Sequence, residues 1–133
     1  MKSIVTFLML SLAAWAGPGE EVQTFLDGQL ASISAGRAQK YMDEHKSFFT
    51  AEAWKHLKSY PWGDPLSDSQ IGFRSSKVGK VELKNERADV KVVFNIRGKL
   101  YTNAIFKLLR SGKNWAVSDI LYSGGGSLLD PRD

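Results

Sequence analysis

The sequence predicts an α+β fold in which N-terminal helices pack on a curved antiparallel β-sheet, for three reasons. Over residues 87–122 apolar and polar side chains alternate with the period of half-buried strands. Val22, Phe25, Leu26, Leu30 and Ile33 recur instead at three- and four-residue spacing, which marks one face of a helix. Between these regions, the segment YPWGDPLSDSQ at residues 60–70 carries Pro61, Gly63 and Pro65, which deny it either period.

The first stretch reads as a targeting segment. Lys2 precedes an apolar run over residues 4–16 that is too short to cross a bilayer and ends in Ala14-Trp15-Ala16, a small-x-small pattern. The expectation is a signal peptide over residues 1–16, cleaved after Ala16, with a retained membrane anchor as the alternative. Residues 17–133 then form a single α+β domain destined for the periplasm or the exterior. No cysteine is present, so neither a lipidated cysteine nor a disulfide is available, and stability must come from packing.

The remaining elements follow in order. Pro18 with Glu20 and Glu21 starts the first helix, because Pro suits the first helical position and acids favour the first turn. That helix runs to about Ser34, and Ala35-Gly36 ends it. A short helix over residues 37–44 carries Tyr41 and Met42 inward, and Thr50 caps a third, AEAWKHLKSY, with Ala53, Trp54 and Leu57 facing the core. The loop 60–70 must fold back, since Tyr60, Trp62 and Leu66 are too apolar for a free linker. Residues 73–84 supply a strand or a bent pair of strands, turning at Asn85-Glu86. In RADVKVVFNI, Ala88, Val90, Val92, Phe94 and Ile96 share the core face, while Arg87, Asp89, Lys91 and Asn95 face water. Reversals at Arg97-Gly98 and over residues 111–114 make a meander, and the tail Leu128-Leu129-Asp130 reads as a turn or a frayed end.

Charge is unevenly placed. Residues 71–113 hold eleven bases against three acids, and residues 17–70 five against eight, so the sheet is basic and its cover mildly acidic. Lys80, Lys84, Arg87, Lys91 and Lys107 alternate with apolar positions and should share the sheet's solvent face, interrupted by Glu82 and Asp89. The two readings are a partner surface and a solvated face with lysines guarding strand edges. Tyr101 and Asn103 fall beside these bases.

Residues 112–120 (GKNWAVSDI), with residues 64–70 (DPLSDSQ) and 88–92 (ADVKV), resemble the nuclear transport factor 2-like (cystatin-like α+β cone) superfamily. More narrowly they resemble a bacterial exported family within it known only as a domain of unknown function. The resemblance implies a bent sheet wrapped around a long first helix. The superfamily includes isomerases, dehydratases, ligand carriers, dimerisation modules and toxin-neutralising proteins, so it selects no activity. Its enzymes keep an Asp with a His or Tyr inside the cone.

Asp119 is the one interior acid to weigh. In a regular last strand it shares a face with Trp115, Val117 and Leu121, a buried carboxylate of raised pKa and a catalytic candidate. A bulge at Ser118-Asp119 would turn it outward and return Ile120 and Tyr122 to the core, which the cost of a buried unpaired charge favours. His45 sits in an acidic, solvated run and His56 one turn after Glu52, so neither completes a catalytic pair or a metal cluster. No metal and no cofactor is expected. Trp54, Tyr60, Trp62 and Phe73 could meet a small apolar ligand at the cone's mouth, or simply plug it.

The expected function is an exported, non-enzymatic binding or protein-interaction module. Its partner would be an unknown protein or an anionic envelope component, with no nucleic acid and no transmembrane segment, as a monomer or homodimer. A toxin-neutralising immunity protein and a small isomerase or dehydratase using Asp119 are the alternatives.

Overall fold

The computed structural model describes residues 17–132, and the expected signal peptide at residues 1–16 lies outside them. Helices α1 (Pro18–Ser34) and α2 (Ala38–Glu44), a 3-10 turn (Lys46–Phe48) and helix α3 (Ala51–Lys58) precede four strands. These are β1 (Ser75–Lys84), β2 (Arg87–Arg97), β3 (Leu100–Ser111) and β4 (Asn114–Tyr122), paired as one antiparallel meander in chain order. The fold is therefore α+β, helices first and sheet second.

The inner face of the sheet follows the alternation. Ala88, Val90, Val92, Phe94 and Ile96 of β2, Ala104, Phe106 and Leu108 of β3, and Trp115, Val117, Ile120 and Tyr122 of β4 are all buried. Phe25 and Leu26 of α1 and Trp54 of α3 complete that core. The hairpins turn at Gly98 (φ 56°) and Gly112 (φ 63°), a left-handed conformation that glycine adopts without a Cβ clash. The first turn falls on Gly98-Lys99, one residue beyond the expected Arg97-Gly98.

Helix α1 departs from its expected stripe. Ile33 is 46% exposed, whereas Gln29, two turns after Val22, is only 8% exposed. Beyond Gly28 the helix faces α2 rather than the sheet: Tyr41 lies against Gly28, where a Cβ would overlap its hydroxyl, and donates to the Phe25 carbonyl at 2.9 Å. Near its start α1 guards β1. Gln23 accepts from the Val78 amide at 2.8 Å and donates to the Ser76 carbonyl at 3.1 Å, beside the register shift between Val78 and Val81. Thr50 caps α3, accepting from the Ala53 amide at 3.1 Å.

The other edge of the sheet is also occupied. The Thr50 amide donates to the Val117 carbonyl and the Leu128 amide to the Ile120 carbonyl, each at 2.8 Å. The tail is therefore no frayed end: Leu128 is fully buried, because β4 offers its backbone a strand edge and its side chain a place in the core. Loop 60–70 folds back as expected, with Leu66 and Ser67 buried. Tyr60 donates to Asp68, Arg132 Nη1 donates to the same carboxylate at 2.6 Å, and Trp62 Nε1 donates to the Arg132 carbonyl at 2.7 Å. Loop and tail thus clasp each other across the end of the sheet. Among the described residues, no helix is long and apolar enough to cross a membrane.

Candidate functional site

Cross-strand register arranges the outer face of the sheet in ranks. One rank runs Lys91, Ile105, Leu121; the next runs Glu82, Asp89, Lys107, Asp119; the third runs Lys84, Arg87, Leu109, Ala116. The middle rank corrects the picture of an almost uniformly basic face, since Asp119 joins Glu82 and Asp89 in it. Lys107 lies 3.4 Å from Asp89 and Lys80, in the β1 bulge, 3.2 Å from Glu82. Lys84, Arg87 and Lys91 are exposed, with no carboxylate within ion-pair distance among the described residues. On the same face Leu109, opposite Arg87, and Val93, opposite the exposed Lys77 and two residues from Lys91, remain exposed, and Tyr101, 59% exposed, lies farther along β3 opposite Asn95. The result is exposed apolar positions on either side of the charged middle rank, with Lys77, Lys84, Arg87 and Lys91 next to them and without an ion pair among the described residues.

Asp119 sits at a bulge. Lys107 pairs with Asp119 but Leu108 with Val117, so Ser118 is the extra residue and Ile120 and Tyr122 return to the core. Asp119 Oδ1 accepts from the Ile120 amide at 2.8 Å and the Leu129 amide at 3.1 Å. Its carboxylate therefore anchors the tail to β4. His56 pairs with Glu52 at 3.1 Å on the exposed face of α3. His45, expected in solvent, is half-buried: its ring stacks on Tyr41 at 3.9 Å between centroids, and Nδ1 lies 2.7 Å from the Tyr41 carbonyl oxygen.

The four aromatics do not meet at one mouth. Phe73 packs inside against Phe94 at 4.8 Å, Tyr60 rests on Tyr122 at 5.3 Å, and Trp62 lies under the Arg132 guanidinium at 5.5 Å. Burial, and then the bond to Asp68, push the Tyr60 hydroxyl well above its usual pKa, so it stays a donor in the clasp. Trp54 lines the cleft between the helices and loop 60–70, and another beside Lys46 and Phe49.

That cleft, of about 310 Å³, is walled by Met42, Trp54, Leu57 and Leu66, with Gln29, Asp64 and Lys58 supplying polar atoms. Gln29 Oε1 is buried without a hydrogen-bond donor among the described residues. An acceptor left in that state costs roughly 1–3 kcal/mol. Burial raises the Asp64 carboxyl above its ordinary pKa against the lowering effect of the Ser67 hydroxyl and the Ser67 and Leu66 amides. Sequence periodicity missed Gln29, although its place two turns after Val22 on the buried face was legible. A second cleft, of about 700 Å³, is lined by Glu21, His45, Phe48, Arg110 and Trp115. Burial raises the Glu21 carboxyl there, opposed by the Trp115 amide and Arg110, and Glu21 Oε2 has no hydrogen-bond partner among the described residues. Compared with known proteins, the chain matches no family model, no curated protein and no solved structure.

Proposed function

We propose that the chain is an exported, non-enzymatic binding module that docks an acidic partner protein on the outer face of its sheet. The observation that carries this reading is the set of exposed cations Lys84, Arg87 and Lys91 on the face that also exposes Leu109, opposite Arg87, and Val93, two residues from Lys91. Interfaces combine apolar ground with charge complementarity in this way, and the charge supplies orientation and rate more than affinity. The β4 edge is engaged by Thr50 and Leu128 and the start of the β1 edge by Gln23, at Ser76 and Val78. Export rests on the Lys2 and Ala14-Trp15-Ala16 pattern. A nuclear transport factor 2-like cone is supported by the long first helix alongside the meander, together with the GKNWAVSDI stretch. A non-enzymatic role is supported by the place of Asp119, which the bulge turns to the outer face and whose Oδ1 is held by two backbone amides.

The test is a double charge reversal, Lys84→Glu with Lys91→Glu, in a protein used to recover its partner from an envelope extract. Association rates of the purified partner are then measured with both proteins across salt concentration. The reversal should slow association roughly tenfold at low salt. The difference should fade as the Debye length shrinks from about 10 Å at 0.1 M to about 3 Å at 1 M. A partner that binds both proteins at equal rates at every salt concentration would overturn the reading.

A further inference from the structure

We propose that the far half of the β1 edge pairs antiparallel with the same edge of a second copy of this chain, forming a two-fold dimer centred on Leu83. Gln23 takes the outward backbone groups of β1 only at its start, the Ser76 carbonyl and the Val78 amide. Beyond the bulge, the backbone's orientation follows from the hairpin. The Glu86 carbonyl accepts from the Arg110 amide at 2.8 Å, so even-numbered positions at that end of β2 point to β3 and odd-numbered ones to β1. Arg87 and Asp89 therefore bond to Lys84 and Glu82, while Val81 and Leu83, opposite Val90 and Ala88, turn their amides and carbonyls away from β2. Among the described residues, no hydrogen bond from outside the sheet reaches those outward groups. A bare edge of this kind is completed by a further strand.

The side chains identify the strand. Val81 and Leu83 lie on the inner side of the sheet, level with the buried Val90 and Ala88, yet Val81 is 37% and Leu83 63% exposed. Helix α1 reaches this side at Val81, so closely that a Cβ on Gly19 would lie 2.9 Å from that side chain, and leaves Leu83 open. On the outer side Lys80, Glu82 and Lys84 alternate in sign, Lys80 lying 3.2 Å from Glu82. A row of lysines alone would repel a second copy, but this alternation complements itself. With Leu83 opposite Leu83 of the second copy, Glu82 of each chain faces Lys84 of the other, and the outward groups of the two leucines bond to each other. Sliding to Val81 opposite Leu83 sets Glu82 against Glu82 and Lys80 against Lys84. Sliding on to Val81 opposite Val81 leaves Leu83 against the bulged Gly79. The two-fold axis puts both inner faces on one side, so the leucines cover each other, while Arg87 and Lys91 stay free on the outer face.

The experiment reads the dimer by sedimentation across protein concentration and its register by charge exchange. Glu82→Lys sets lysine against Lys84 of the second copy at both symmetric positions and should weaken association at least about tenfold. Glu82→Lys combined with Lys84→Glu restores opposite charges across the axis and should recover the dimer, which a merely damaged strand would not do. Both positions are exposed, so the fold tolerates each change. The centre of the interface is read by cross-linking. The chain has no cysteine, so Leu83→Cys introduces a single thiol. Directly opposed residues that exchange backbone bonds have Cα atoms about 5.5 Å apart, within reach of a short bis-maleimide. Leu83→Cys should therefore cross-link at least about tenfold faster than Leu100→Cys, which is 56% exposed at the start of β3, beyond the β2–β3 turn. The proposal is overturned if the protein stays monomeric at every concentration, if Glu82→Lys associates as well as wild type, if the charge exchange does not recover the dimer, or if Leu83→Cys cross-links no faster than Leu100→Cys.

Discussion

Leu128→Ala is a sharp test of how the tail contributes to the fold, because the tail looks dispensable in the sequence and is not so in the structure. Leu128 is fully buried, its amide bonds to the Ile120 carbonyl, and Leu129 beside it is half-buried with its amide on Asp119. Shortening Leu128 to Ala removes three carbons, worth about 0.8 kcal/mol each by transfer, or about 2.4 kcal/mol in total. The cavity left behind adds to this, within the usual range of about 2–5 kcal/mol for such a change. Partial collapse of the surrounding side chains into the void keeps the cost near the low end of that range, so about 3 kcal/mol is expected. For a domain of this size that corresponds to a fall in Tm of about 9–15 °C. Leu129→Ala is the control: it keeps the same backbone bonds and loses only partly buried surface, so it should cost about 1 kcal/mol. Thermal and urea unfolding followed by circular dichroism measure both. A Leu128→Ala protein that melts within a degree or two of wild type, or no lower than Leu129→Ala, would refute the placement of the tail in the core.

Two further outcomes follow from the core and its margin. Phe94→Ala removes a fully buried ring that packs on Phe73 and Phe106, and should cost about 3–5 kcal/mol by urea denaturation; a variant with the wild-type midpoint would show the inner face to be misassigned. For Glu21, burial favours the protonated carboxyl in the folded state, so the folded protein holds the proton more tightly than the unfolded one. Its contribution is therefore intact below the unfolded pKa of about 4.3 and is lost as pH rises through the higher folded value. Glu21→Gln should accordingly melt higher than wild type near pH 7 and match it near pH 3.5; an equal or lower Tm at pH 7 would show that Arg110 and the Trp115 amide outweigh burial.

The inner face was readable because alternation asks one question of each residue, and Val90, Val92, Phe94, Ala104 and Phe106 answer it alike. The Ser118 bulge was readable for a related reason. A regular strand would have buried the Asp119 carboxylate and exposed Ile120, while one extra residue corrects both. Leu128 gave no such signal, because two leucines after a glycine run carry no period, and their partner is a strand edge whose availability depends on where residues 49–50 lie. Gln29 was hidden differently. Hydropathy assigned the end of the α1 stripe to Leu30 and Ile33; Leu30 does pack against the core, but Ile33 is exposed, because Tyr41 against Gly28 and Leu66 from the distant loop decide which face of that helix is covered. The outer sheet face could be located as the complement of the core face. Its electrostatics could not, since the pairing of Lys107 with Asp89 and the presence of Asp119 in the same rank both depend on register across β2, β3 and the bulge in β4. Had β4 been regular, Asp119 would have left that rank, and Lys107 would have faced one carboxylate rather than two. The same extra residue that keeps a charge out of the core therefore lowers the positive potential in the middle of the face, and leaves Lys77, Lys84, Arg87 and Lys91 to carry it on either side.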